Sequence, residues 1–130
     1  MTLLDTNILI HYLKGQPSVV SRLHSAPPAQ IAIPSVVAYE IEYGTLKIGV
    51  SRRRVVVSRL LAGIRQAPFD RDAAFESARI RIELEQRGLI IGPMDLLIAG
   101  TAASLGAILA TSNTKEFSRI KGLRLSDWTK

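Results

Sequence analysis

The sequence predicts an α/β fold with a mainly parallel sheet covered by helices on both faces. Two observations carry that prediction. Short apolar runs alternate with longer stretches of helical spacing, the order that builds crossover units. The chain is also 47% apolar over 130 residues, enough to bury one compact core. Residues 1–130 are therefore read as a single domain, without repeat, low-complexity tract or long linker.

Each element follows from its residues. Thr2 to Leu4 reads as a short buried strand ending at Asp5. Thr6 can cap a helix whose apolar face is Ile8, Leu9, Tyr12 and Leu13, stopped by Gly15 and Pro17. Val19 to Leu23 is a second short helix, and Gln30 to Ile33 a second strand. A helix opens near Pro34-Ser35 and holds Val36, Val37, Glu40, Ile41, Tyr43 and Gly44. Arg52 to Arg65 is another, with Val56, Val57, Leu60, Leu61 and Ile64 inward. Asp70 or Asp72 caps a long helix ending before Gly88. Gly92-Pro93 opens a nearly all-apolar helix, with Pro93 suited to its first turn. Ala107 to Ala110 is a buried strand, Asn113 begins a helical turn, and Leu123 to Leu125 is a last strand.

Composition narrows the chemistry. There is no cysteine, which excludes disulfides, thiolate metal sites and thiol nucleophiles. The residues Met1 to Asp5 lack the form of a secretory signal. Leu96 to Ala110, the longest apolar stretch, is too short and too broken to span a bilayer. A cytoplasmic protein away from membranes is expected. The net charge of +6 comes from 17 basic and 11 acidic residues. That balance favours an anionic partner such as nucleic acid or an acidic protein, or serves ordinary solubility. No Ser-centred elbow, P-loop or dinucleotide fingerprint is present.

Four acids stand out by context. Asp5 follows the first strand, where α/β sheets place their ligand crevice; it can equally cap the first helix. Glu40 lies on an apolar helix face, whereas Glu42 points elsewhere; its partner there is a metal ion or an Arg. Asp95 opens the most apolar helix, a place the helix dipole alone would favour. Glu116 stands three residues after Asn113, as a metal ligand or as part of a capping box. Converging carboxylates with the neutral oxygen of Asn113 suit Mg²⁺ or Mn²⁺. His11 and His24 lack zinc-ligand spacing and read as surface residues. Arg52, Arg53 and Arg54 read as a backbone track, a partner contact or a solvated face. Arg119, Lys121 and Arg124 follow the fourth acid and read as phosphate contacts.

Four segments in order resemble a PIN domain, specifically a VapC-type toxin of a type II toxin–antitoxin pair. They are Leu4-Asp5-Thr6-Asn7, Tyr39-Glu40-Ile41-Glu42-Tyr43-Gly44, Ile91 to Ala99 around Asp95, and Leu109 to Phe117. The resemblance spans essentially the whole chain. It implies a three-layer α/β/α sandwich and a Mg²⁺- or Mn²⁺-dependent endoribonuclease. By that resemblance Asp5, Glu40 and Asp95 take the three central acidic positions. Asn113 and Glu116 complete the set, with Thr6, Asn7 and Thr111 in support. Val37 and Met94 depart from the common pattern at positions behind the ligands. The tail from Phe117 to Trp128 is similar to that of toxins cutting initiator tRNA in its anticodon loop. The resemblance also implies a homodimer and a cognate antitoxin. Two other readings carry their own tests. A phosphoryl-transfer protein using Asp5 would trap an aspartyl-phosphate. A catalytically inactive PIN-like binding module would hold no metal.

Overall fold

The structure is a computed structural model describing residues 1–130. β1 (Thr2–Leu4) leads into α1 (Thr6–Leu13) and α2 (Pro17–Ser25). β2 (Ile31–Pro34) follows a single 3-10 turn, then α3 (Ser35–Ile48) and α4 (Ser51–Ala62). β3 (Gln66–Ala67), α5 (Arg71–Gln86) and α6 (Pro93–Leu105) come next. β4 (Ile108–Ala110), α7 (Thr114–Phe117) and β5 (Leu125–Ser126) close the chain.

All five strands are parallel, in the order β3-β2-β1-β4-β5. Successive strand residues point to opposite faces, yet Leu3 and Leu4 are both fully buried, as are Ile31, Ala32 and Ile33 nearly so. Both faces are therefore covered, and the architecture is an α/β/α sandwich. The chain steps outward from β1 to β2 to β3, then crosses back to β4 and β5. The direction of winding thus reverses between β1 and β4. Parallel α/β sheets bind ligands outside the carboxyl ends of the strands at such a reversal.

Several local expectations change. Of the two caps the sequence offers for α1, Asp5 rather than Thr6 is the N-cap: its backbone is extended and its Oδ1 accepts from the Thr6 N–H at 2.8 Å. Gln30 ends the 3-10 turn, so β2 begins one residue later. α4 stops at Ala62 before Gly63, and Gln66–Ala67 add an edge strand that two residues of sequence could not announce. Val56 is half exposed while its neighbour Val57 is buried, because α4 meets the core along a narrow stripe. Tyr43 is likewise exposed, on the outer side of α3. The last strand pairs at Leu125–Ser126, because its register follows Leu109 and Ala110 of β4.

α6 packs against α5 at backbone distance. A Cβ on Gly100 would lie 2.8 Å from the Ser77 Cα, with the Ser77 hydroxyl closer still. That hydroxyl is already committed to the Ala73 carbonyl at 2.8 Å. Gly100→Ala must separate the helices, and we expect it to lower stability by about 1–3 kcal/mol. Urea unfolding checks this; an unchanged midpoint would show that the helices yield freely. The spacing matters because α6 carries Asp95 at its first turn.

Candidate active site

Asp5 is only 2% exposed and lies just beyond β1. Burial pushes its carboxyl above the usual range, and the hydrogen bond from Thr111 opposes that. Oδ2 accepts from the Thr111 hydroxyl at 2.7 Å and from the Asn7 amide at 2.9 Å. Thr111 follows β4, so this bond spans the reversal point of the sheet. Asn7 turns its own carbonyl oxygen to the Ser112 N–H at 3.0 Å. One residue also links two acids. The Thr6 N–H holds Asp5, while its hydroxyl donates to Glu40 Oε1 at 2.6 Å.

A second pair sits at the start of α6. Asp95 is raised to about 7, first by burial, then by the charges of Asp5 and Glu116. Its hydrogen bond with Glu116 raises Asp95 further and lowers Glu116 in return. Glu116 is lowered instead, chiefly by the Gly92 N–H and then by the Asn113 amide. Those donors stand at 2.9 Å and 3.0 Å from its two carboxyl oxygens. Asn113 therefore orients Glu116 and makes no side-chain cap on α7, so the capping-box alternative fails. Its backbone N–H returns to Thr111 Oγ1 at 3.0 Å, joining the two pairs.

No basic side chain forms a salt bridge with these acids. The three salt bridges, Arg79–Glu76, Arg81–Glu85 and Arg87–Glu83, all lie along α5 and just past its end. The Arg partner considered for Glu40 is thus absent. The hydrogen-bond partners of the four carboxylates are mostly neutral donors, and the concentration of negative charge is one that a hard cation would relieve. No three carboxyl groups already crowd one point. The donor chemistry, carboxylate and amide oxygen without imidazole or thiolate, fits Mg²⁺ or Mn²⁺.

Glu116 should control the protonation of its neighbour. Glu116→Gln removes its charge beside Asp95, so the Asp95 carboxyl should fall from about 7 toward the ordinary range. Carboxyl-carbon NMR titration of metal-free protein reads this directly. An unmoved Asp95 would mean that burial and the charge of Asp5 set its value without Glu116.

The basic residues divide. Arg119 lies close enough to lower Glu116. Arg124 does not reach the acids. It precedes β5 and donates to the Gly106 carbonyl ahead of β4, at the amino ends of the strands. Lys121 lines the same 340 Å³ cavity on that far edge. The tail reverses direction after Ile120 to enter a parallel strand, which sequence proximity could not reveal. Arg52, Arg53 and Arg54 are exposed on α4. Sequence reasoning also missed the Gly92 N–H as the main support of Glu116. The only hint was a glycine ahead of a helix-opening proline, which leaves an uncommitted donor at that end.

A doubly covered parallel sheet with acids gathered at its reversal point is the plan of a PIN domain, and the PIN domain family pattern matches residues 2–123. The chain is 38% identical to the tRNA(fMet)-specific endonuclease VapC of Shigella flexneri, over 98% of this chain and 97% of that one. It is 39% identical to ribonuclease VapC2 of Rickettsia felis, over 98% of both. The crystal structure of DNA-bound VapBC from Salmonella typhimurium superposes with a TM-score of 0.92 at 34% identity, covering 98% of this chain and 97% of that chain. The chain belongs to the PIN domain family, among its VapC-type toxins.

Proposed function

We propose that this protein is an endoribonuclease toxin that hydrolyses phosphodiester bonds in RNA with the help of Mg²⁺ or Mn²⁺. The observation that carries the reading is the group of carboxylates, none of them in a salt bridge, at the sheet's reversal point. Asp5, Glu40, Asp95 and Glu116 would hold the cation, with Asn113 as a neutral oxygen donor. When bound, such a cation supplies Lewis acidity and charge neutralisation to the phosphoryl transition state.

The chain's own residues do the positioning. Thr111 and Asn7 fix the Asp5 carboxylate, Thr6 fixes Glu40, and the Gly92 N–H fixes Glu116. The acids are held in place before substrate arrives, which reduces reorganisation during the reaction. The RNA backbone is expected to be drawn in by the net charge of +6. We take residues 1–130 as one PIN domain working in the cytoplasm as a homodimer. No helix is long and apolar enough to cross a membrane.

Two finer readings rest on relatives. The Shigella flexneri protein is named for tRNA(fMet), and initiator tRNA is therefore the first substrate to try. The Salmonella typhimurium structure is of a VapBC complex, which supports an inhibitory antitoxin for this chain.

Purified protein incubated with total RNA should give discrete products with Mg²⁺ or Mn²⁺ and none with EDTA. Mapping the product ends identifies the target. Cleavage indifferent to chelator would sink the metal reading. A denaturing gel excludes a co-purified small inhibitor if no cleavage is seen.

A further inference from the structure

The segment between α5 and α6 delivers both the Gly92 N–H and Asp95 to the site, yet little of its own backbone holds it. Gly88 and Leu89 bond back to Glu85 and Leu84 of α5. Beyond them, Ile90 projects an 82% exposed apolar side chain into solvent. The Ile90 carbonyl is taken by Arg119 Nη1 at 2.9 Å. The Gly92 N–H is taken by Glu116 at 2.9 Å. A third tie runs the other way, from Arg87 Nη1 to the Arg119 carbonyl at 2.7 Å. The same Arg87 nitrogen is anchored to Glu83 of α5 at 2.8 Å. All three ties join residues 87–92 to residues 116–119.

We infer that Arg119 is a positioning residue: with Arg87 it clasps this segment so that the Gly92 N–H and the Asp95 turn are presented to Glu116. The inference rests on the nuclease reading for its functional consequence, and on geometry for the clasp. It replaces the phosphate-contact role expected from the basic tail. Nη1 of Arg119 donates to a backbone carbonyl, and the Arg119 carbonyl is the acceptor for Arg87. Charge-assisted bonds of this kind are stronger than neutral ones, and both arginines sit at the surface where removal leaves no cavity. Losing the clasp loosens a segment whose displacement by a fraction of an ångström moves Asp95 and the N–H that fixes Glu116.

The test uses Arg119→Ala and Arg119→Lys, each read two ways. The first is amide hydrogen exchange in RNA-free protein. Exchange at Gly92 should accelerate about tenfold in Arg119→Ala, the loss of roughly one hydrogen bond, with β1 amides unchanged as the control for global stability. Arg119→Lys keeps one donor and should recover part of that protection. The second is cleavage kinetics. We expect kcat to fall about tenfold with KM and salt dependence unchanged, because the acids are displaced while RNA contacts persist. Unchanged exchange at Gly92 overturns the clasp. A raised KM with a shallower salt slope also overturns it, in favour of a phosphate contact. Wild-type protein that cuts no RNA would sink the nuclease reading alone, since exchange reports the clasp without turnover.

Discussion

Asp5→Asn is expected to lower RNA cleavage by about a thousandfold or more, roughly 4 kcal/mol of transition-state stabilisation, while leaving the fold intact. The size follows from position. Asp5 is the buried acid at the reversal point, tied to Thr111, Asn7 and the Thr6 N–H. Removing its charge takes the central ligand from the proposed cation site without moving its neighbours. Asparagine is the better test than alanine. Its carbonyl can still accept from Thr6 and so preserve the N-cap. The bonds from the Thr111 hydroxyl and the Asn7 amide are lost, because an amide NH₂ then faces both donors. Asp5→Ala would forfeit the cap, at about 1 kcal/mol, and leave buried donors unsatisfied, at about 1–3 kcal/mol each. Its inactivity could then reflect unfolding. Single-turnover cleavage beside a thermal melt decides the matter; wild-type cleavage by a folded Asp5→Asn protein would refute Asp5 as a ligand.

The second large effect couples function to stability. Asp95→Asn should also abolish cleavage, yet make the metal-free protein more stable at about pH 8. The sign follows from where the proton sits. The unfolded carboxyl releases its proton near its ordinary value of 3.8, whereas the folded one holds it until about 7. Between those values the native state binds more protons than the unfolded chain. Metal-free stability therefore falls as pH rises through that window and levels off above it. Asparagine cannot ionise, so the variant loses this decline. Asp95 is only half buried, and solvent screening reduces the gain to about 1–2 kcal/mol, a few degrees in Tm. Melts in EDTA at about pH 4 and pH 8 should converge at the lower pH and separate at the higher. Parallel pH profiles would show that Asp95 carries no such penalty. Added Mg²⁺ should restore wild type and leave the variant unmoved, since binding to the native state alone stabilises it.

These two acids differ in how visible they are in sequence. Asp5 ends an apolar strand, and a carboxylate there already points to the crevice of an α/β sheet. Asp95 heads a helix so apolar that its start had to lie near the sheet, and the charge of Asp5 does act on it. Glu40 was separable from Glu42 by helical spacing alone, and Glu42 is exposed where Glu40 is half-buried. Glu116 was less legible. A capping box and a site acid have the same spacing, and only the position of Gly92 across the fold distinguishes them.

What the linear order of residues determined is periodic or local: the strand–helix alternation, the glycine and proline boundaries, the apolar core and the acids' places within their elements. Each depends on neighbours within a turn or a strand, so it can be read without knowing the fold. Tertiary structure alone decided the rest. The edge strand Gln66–Ala67 exists because β2 offers it a ladder. Arg124 and Lys121 leave the acids because the last strand must enter parallel to β4. Glu116 is held ionised chiefly by the Gly92 N–H, a contact made across 24 residues, while burial and the charge of Asp5 raise Asp95. Charge, hydrogen bonding and desolvation act through space at a few ångströms, and that separation is set by packing.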